Sequence, residues 1–167
     1  LQPKVKSALT ILFSAPILEA YGMTEVAGCI SCTSRWERKG GNVGGILSCV
    51  RMHLKEINQV DTIVDAQQPI GELYLKGNSV MHGYYKNPEL TKEVLDQDGW
   101  LKVGDVVKIL NNGALEIVER VEEFKKLQSG QYISPLKLEN IYIYAPMVSQ
   151  ICIDINPGSK FLIAIVV

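Results

Sequence analysis

Two short stretches of this chain hold residue types that could grip a nucleotide. Tyr21-Gly22-Met23-Thr24-Glu25 places an aromatic ring, a glycine, a hydroxyl and a carboxylate within five positions. A ring face can stack on a base, a bare backbone admits close approach, a hydroxyl can donate to phosphate, and a carboxylate seeks a metal ion. Further on, Gly104-Asp105 sets a carboxylate just beyond a glycine at the start of an expected strand. One carboxylate can accept two hydrogen bonds from a diol such as ribose. Across the hairpin that follows stands Glu119-Arg120, and a guanidinium is a rigid fork suited to phosphate or ribose oxygens. Each piece alone has an ordinary explanation as a turn residue or a surface ion pair. Their joint presence is the signal.

The elements that must position these groups follow from periodicity and punctuation. Val5, Leu9, Leu12 and Phe13 recur at helical spacing, so residues 2–13 read as an amphipathic helix ended by Pro16. Residues 17–20 form a short expected strand that delivers the chain into Tyr21-Gly22-Met23-Thr24-Glu25. Residues 34–45, with Gly40, Gly41, Gly44 and Gly45 around Asn42-Val43, read as a loop where backbone can approach a ligand. Alternation predicts strands over 51–57 and 71–76, the first turning Met52 and Leu54 inward and His53 to solvent. A turn region at 61–69 separates them. Asn87-Pro88-Glu89 supplies an N-cap, a first-turn proline and a first-turn acid for a helix through Leu95, closed by a turn at 96–99. Strands at 103–110 and 114–119 flank Asn111-Asn112-Gly113 as a hairpin. After Glu119 come a charged stretch to Lys126, a turn at 129–131 and a helix from Ser134-Pro135 to about Tyr144. Two strands, 147–156 and 161–167, close the chain around Pro157-Gly158.

This pattern predicts a mixed α/β and β-rich fold. Residues 1–118 belong to one domain, with 46–118 a small β-rich subdomain, and 119–167 open a second, α+β domain. With 167 residues, a core burying roughly 70% of the unfolded surface is within reach. A net charge of −1 argues against electrostatic binding to nucleic acid or an anionic membrane. Cys29-Ile30-Ser31-Cys32 has metal-site spacing, but a tetrahedral zinc site needs a second pair that does not follow. The four cysteines therefore read as buried or incidental thiols, compatible with a reducing compartment. No signal peptide is visible, the chain starts at Leu1, and both ends read as cut from a longer chain.

Seven segments occur in one order: Y-G-M-T-E, G-G-N-V-G-G, G-E-L-Y-L-K-G, G-Y-Y-K-N-P-E-L-T, D-G-W-L-K-V-G-D, E-R and L-E-N-I-Y. From about Pro16 onward the chain resembles the adenylate-forming (AMP-binding) enzymes, and within them the long-chain fatty-acid–CoA ligases. The G-G-N-V-G-G loop and Gln131-Tyr132-Ile133-Ser134-Pro135 carry the likeness to that branch. The resemblance implies the end of a large nucleotide-binding domain, including a small β-barrel-like subdomain, and the start of a small mobile domain. It implies ATP-dependent activation of a fatty acid to an acyl-adenylate with release of pyrophosphate, then transfer to coenzyme A. It also implies roles. Tyr21 stacks on adenine, with Gly22 beside the nucleotide. Thr24 contacts phosphate, Glu25 holds magnesium, Asp105 accepts the ribose hydroxyls and Arg120 contacts the nucleotide. Thr24, Glu25 and Arg120 are thus the candidate catalytic residues. Lys126 matches a lysine of the family's joint segment, and 41–45 pass near the acyl chain or adenylate.

Departures from the pattern bear on these expectations. The hinge position, usually aspartate, is Glu119, and Glu122-Glu123 stand where basic residues are expected. Gln131 replaces a glutamate. The family's phosphate loop and its adenylating lysine fall outside these residues, so the isolated chain is expected to be inactive. A ligase for a medium-chain or aromatic acid is the alternative within the same chemistry. A non-catalytic relative that binds AMP or a partner is the alternative outside it. Long-chain members sit in the cytoplasm or on the cytosolic face of endoplasmic reticulum, mitochondrial or peroxisomal membranes. Any membrane association here would run through segments outside this chain.

Overall fold

The computed structural model describes residues 1–57, 67–128, 132–155 and 161–167. Helix α1 spans Pro3–Phe13, with its proline in the first turn, where the missing amide costs nothing. The strand expected at 17–20 lies later. β1 is Ala20–Met23, so the candidate nucleotide grip is itself a strand edge. It pairs antiparallel with β2, Gly28–Cys32, which in turn pairs with β3, Gly45–Ile46. Residues 28–32 are small, with only Ile30 of strand-forming type, and gave no alternation to read.

A four-stranded antiparallel sheet forms the centre of the chain. Its order is β4 (Val50–Lys55), β5 (Ile70–Gly77), β6 (Leu101–Ile109) and β7 (Leu115–Arg120). Val26, Ile30, Val50, Leu73, Leu75, Leu101 and Val107 make one buried cluster, against which Tyr21, Met23, Met52 and Leu54 pack. Leu73 and Leu75 are fully buried, each contributing about 1.5–3 kcal/mol of apolar transfer. Val26 is 1% exposed, so the turn carrying Thr24 and Glu25 is pinned to the face of this sheet by its own third residue. β6 to β7 is the expected hairpin, with Gly113 at φ +79° and its amide donating to the Leu110 carbonyl at 2.8 Å. His53 is exposed as expected, and its ring stacks on Tyr74 and meets Trp100 edge-on.

Helix α2, Pro88–Val94, is capped by the Asn87 side chain, which accepts from the Leu90 amide at 3.1 Å. The turn after it closes where expected, the Gly99 amide donating to the Asp96 carbonyl at 3.1 Å. The boundary expected at Val118–Glu119 falls inside β7. Beyond it the charged stretch yields a short pair, β8 (Lys125–Lys126) with β9 (Tyr132–Ile133). Helix α3, Pro135–Tyr142, starts at Ser134, whose hydroxyl accepts from the Lys137 amide at 3.1 Å. The final strands are shorter than expected, β10 (Ile151–Asp154) pairing antiparallel with β11 (Ile163–Val166). The turns expected at 129–131 and at Pro157-Gly158, and most of the 61–69 turn, lie outside the described residues.

Helix α1 leaves Val5, Leu12 and Phe13 exposed in this chain, and Lys6 is its buried residue, ion-paired with Glu19 at 3.0 Å. Of the thiols, which read as buried or incidental, Cys29, Cys49 and Cys152 are exposed and Cys32 is half-buried.

Candidate nucleotide site

Three of the site residues read from the sequence are joined directly. The Tyr21 hydroxyl donates to Asp105 Oδ2, and Arg120 Nε lies 3.4 Å from Asp105 Oδ1. Strand pairing makes this contact, because Asp105 on β6 sits opposite Arg120 on β7. Opposite β5, residues 103–105 fall within an irregularity of the ladder between Glu72 and Tyr74, which frees this part of β6 from regular pairing. Burial, the hydrogen bond to Asp105 and the aspartate's charge all push the Tyr21 phenol well above its ordinary value, so it stays neutral. Its hydroxyl is committed to Asp105, which leaves the ring as the part of Tyr21 available to a ligand. The negative charge of Asp105, with a hydrogen bond to Glu122, raises the already high Arg120 pKa further.

Asp105 keeps acceptor capacity. Its carboxylate offers about four lone-pair positions, and Tyr21 and Arg120 each occupy one. A vicinal diol needs two. Only about 11% of the side chain is exposed, so a diol must enter beside Arg120. Arg120 can turn aside into solvent, because its side chain is 64% exposed, and the diol's own hydroxyls would replace it as donors to the buried carboxylate. Arg120 is also held by Glu122, its Nη1 3.3 Å from Oε1, one of the acids substituting for bases in the joint segment.

Arg120 also lines a cavity of about 450 Å³ together with Met23, Glu25, Tyr84, Gly104 and Glu122. Tyr21 and Asp105 are not among its lining residues and connect to it through Arg120. Gly104 has φ +82° and open space where a Cβ would stand, as expected of a glycine that admits a ligand. Glu25 is half-buried, and its Oε1 accepts from the Tyr84 hydroxyl at 2.8 Å. Glu72 and Glu93 add further carboxylates, and Lys102 and Arg120 are the cations, so acids outnumber bases four to two counting Glu122. Among the described residues no three metal-type ligands converge. Magnesium suits such a site nonetheless, since it is commonly held by one or two carboxylates with substrate phosphates and water completing the shell. Glu25 fits as the single protein ligand.

The remaining candidates are placed differently. Thr24 is exposed at the head of a 3₁₀ turn, Thr24–Val26, closed by the Ala27 amide donating to the Thr24 carbonyl. Gly22 answers to the sheet rather than to an approaching ligand, because a Cβ there would come 1.8 Å from the Gly28 carbonyl oxygen. The same holds for the G-G-N-V-G-G loop. A Cβ on Gly44 would come 2.0 Å from the Cys32 carbonyl oxygen, and Val43 and Gly44 exchange backbone hydrogen bonds with Leu115. Lys126 is exposed on β8, its ammonium 5.4 Å from the centre of the Tyr132 ring, and does not line this cavity. Two features were missed. Tyr84 lies inside G-Y-Y-K-N-P-E-L-T with no local sign of its partner, and Glu72 is an acid on β5 with no motif around it.

Comparison with known proteins gives the family and the fold. The sequence profile of the family described as "AMP-binding enzyme" matches residues 1–85. Long-chain-fatty-acid–CoA ligase 5 of Mus musculus is 40% identical over 151 residues, covering 90% of this chain and 22% of that protein. The peroxisomal long chain acyl-CoA synthetase 7 of Arabidopsis thaliana is 37% identical, with 99% of this chain and 24% of that protein covered. This chain thus spans about a quarter of the length of the curated relatives it matches. Among solved structures, the A domain of a carboxylic acid reductase from Segniliparus rugosus, in complex with AMP and a co-purified carboxylic acid, superposes with TM-score 0.80. It is 28% identical and covers all of this chain and 25% of that one. ATP-bound MatB from Rhodopseudomonas palustris gives TM-score 0.82 at 25% identity, with coverage of 99% and 33%.

Proposed function

Because this chain belongs to the AMP-binding enzyme family, we propose that it builds the adenosine- and metal-facing side of a long-chain fatty-acid–CoA ligase. The polypeptide that carries it would convert a long-chain fatty acid, ATP and coenzyme A to acyl-CoA, AMP and pyrophosphate. One observation carries the reading. Tyr21, Asp105 and Arg120 are chained together, and the same Arg120 lines the cavity onto which Glu25 and Gly104 open. A ring, a diol acceptor, a cation and a metal-seeking acid are the parts that a nucleoside triphosphate requires. The identity to long-chain ligases supports the choice of acid.

The division of labour follows from the contacts. Tyr21 offers its ring to adenine while its hydroxyl fixes one oxygen of Asp105. Asp105 accepts the ribose hydroxyls on its remaining lone pairs. Arg120 turns from Asp105 and Glu122 toward ligand oxygens, and Thr24 offers an exposed hydroxyl to phosphate. Magnesium would be held by Glu25, where it would neutralise phosphate charge, the main need of phosphoryl chemistry. Lys126 and the start of the small domain (119–167) would come to the nucleotide only in another arrangement of that domain. Coenzyme A is the acceptor in this reading, and the protein acts in the cytoplasm or at the cytosolic face of an intracellular membrane.

The test is product analysis with the purified full-length protein that carries this chain. Acyl-CoA should form from a long-chain fatty acid with one AMP, and no ADP, per turnover. Formation of ADP, or turnover indifferent to the acid, would exclude the proposal.

A further inference from the structure

Glu25 is held at both ends by one short segment. The amide of Met81 donates to its backbone carbonyl at 2.8 Å, and the hydroxyl of Tyr84 donates to its Oε1 at 2.8 Å. Resting on the reading that Glu25 faces a metal-bound nucleotide, we infer that Tyr84 is the positioning residue for the Glu25 carboxylate, aimed by a dedicated link to helix α2.

The link is built residue by residue. The Tyr84 amide donates to Thr91 Oγ1 at 2.9 Å, and that hydroxyl donates to the Asn87 carbonyl at 2.8 Å. The Asn87 amide returns to the Tyr84 carbonyl at 3.1 Å, while the Asn87 side chain caps α2. Gly83 lets the chain come this close. It has φ +146°, and a Cβ there would lie 2.7 Å from the Thr91 methyl. No residue of this seven-residue helix is buried; Val94 near its end packs against the core cluster, while its first turn makes the bonds to the Tyr84 segment.

The chemistry of the anchor matters. A lysine or arginine at this place would fix Glu25 but cancel its charge. A phenol fixes one oxygen and stays neutral, leaving the carboxylate anionic with Oε2 for a cation. Glutamate has three rotatable side-chain bonds, and an arm already aimed loses less freedom when a ligand binds.

The experiment uses the full-length protein, with Mn²⁺ standing in for Mg²⁺ and its binding in the presence of ATP followed by electron paramagnetic resonance. Tyr84→Phe, which keeps the ring and deletes the donor, should weaken Mn²⁺ binding about tenfold, the lower end of the effect of losing a partner that orients a metal ligand. Metal-free AMP binding should stay within about twofold. Thr91→Val, which leaves the Tyr84 hydroxyl but loosens its backbone, should weaken Mn²⁺ by a smaller factor. Glu25→Gln should weaken it at least as much as Tyr84→Phe. Normal Mn²⁺ binding in Tyr84→Phe beside weakened binding in Glu25→Gln would overturn the role of Tyr84 and leave that of Glu25 standing. Normal binding in Glu25→Gln would overturn both.

Discussion

Replacing Tyr21 by phenylalanine separates its two jobs. The substitution keeps the half-buried ring and deletes the hydroxyl that donates to Asp105. A hydrogen bond to a charged acceptor contributes about 1.5–3 kcal/mol, so Tyr21→Phe should destabilise the fold by the lower part of that range at neutral pH. The difference should then depend on pH. Unfolded, the phenol titrates near 10.0; folded, burial and Asp105 hold it well above that. The folded state therefore retains a proton that the unfolded state gives up. This contribution is complete below pH 10 and is lost as pH rises beyond it. At about pH 11 ionisation of the unfolded phenol favours unfolding by about 1.4 kcal/mol, a term absent from Tyr21→Phe. Urea unfolding of both proteins between neutral and about pH 11 should show the gap narrowing by about that amount. A gap that stays constant, or widens, would mean that the phenol is not held neutral against Asp105.

Two other substitutions test local claims. Gly22→Ala should destabilise by about 3 kcal/mol or more, because its Cβ would overlap the Gly28 carbonyl and force β1 from β2; a thermal midpoint near that of the parent would show that the β1–β2 pairing can yield. Ser134→Ala removes the hydroxyl that both caps α3 and donates to the buried Glu119 Oε2 at 2.6 Å. Losing the cap and the bond to a charged acceptor should cost about 2–3 kcal/mol. Hydrogen exchange in the first turn of α3 should speed up accordingly, and an unchanged rate would argue that the bond to Glu119 does not hold this helix start.

What could be read from the sequence divides along physical lines. Strong local chemistry was legible. Asn87-Pro88, Ser134-Pro135 and Asn111-Asn112-Gly113 each mark a boundary that the fold observes, and Leu73 and Leu75 alternate into the core. Strands that owe their existence to a neighbour were not. β2 is a run of small residues that pairs because β1 and β3 flank it, and β8 is two lysines ordered by Tyr132-Ile133. Periodicity found α1 but not its burial of Lys6, which is fixed by the distant Glu19 and leaves no local trace. At the site, Asp105 and Arg120 were recognisable from their chemistry, and cross-strand register joins them. Tyr84 was hidden by distance, since nothing local ties residue 84 to Glu25. The demand for a bare backbone at Gly22 was hidden for the complementary reason, as it comes from the adjacent strand.

The central claim is that the Tyr21–Asp105–Arg120 chain and Glu25 together serve one nucleotide during fatty-acid activation. Exchange of labelled pyrophosphate into ATP by the full-length protein measures that step without coenzyme A. Exchange should require a long-chain fatty acid and should fall by about two orders of magnitude or more in both Asp105→Asn and Glu25→Gln, as loss of an electrostatic contact in an active site does. Undiminished exchange in both variants would contradict the account.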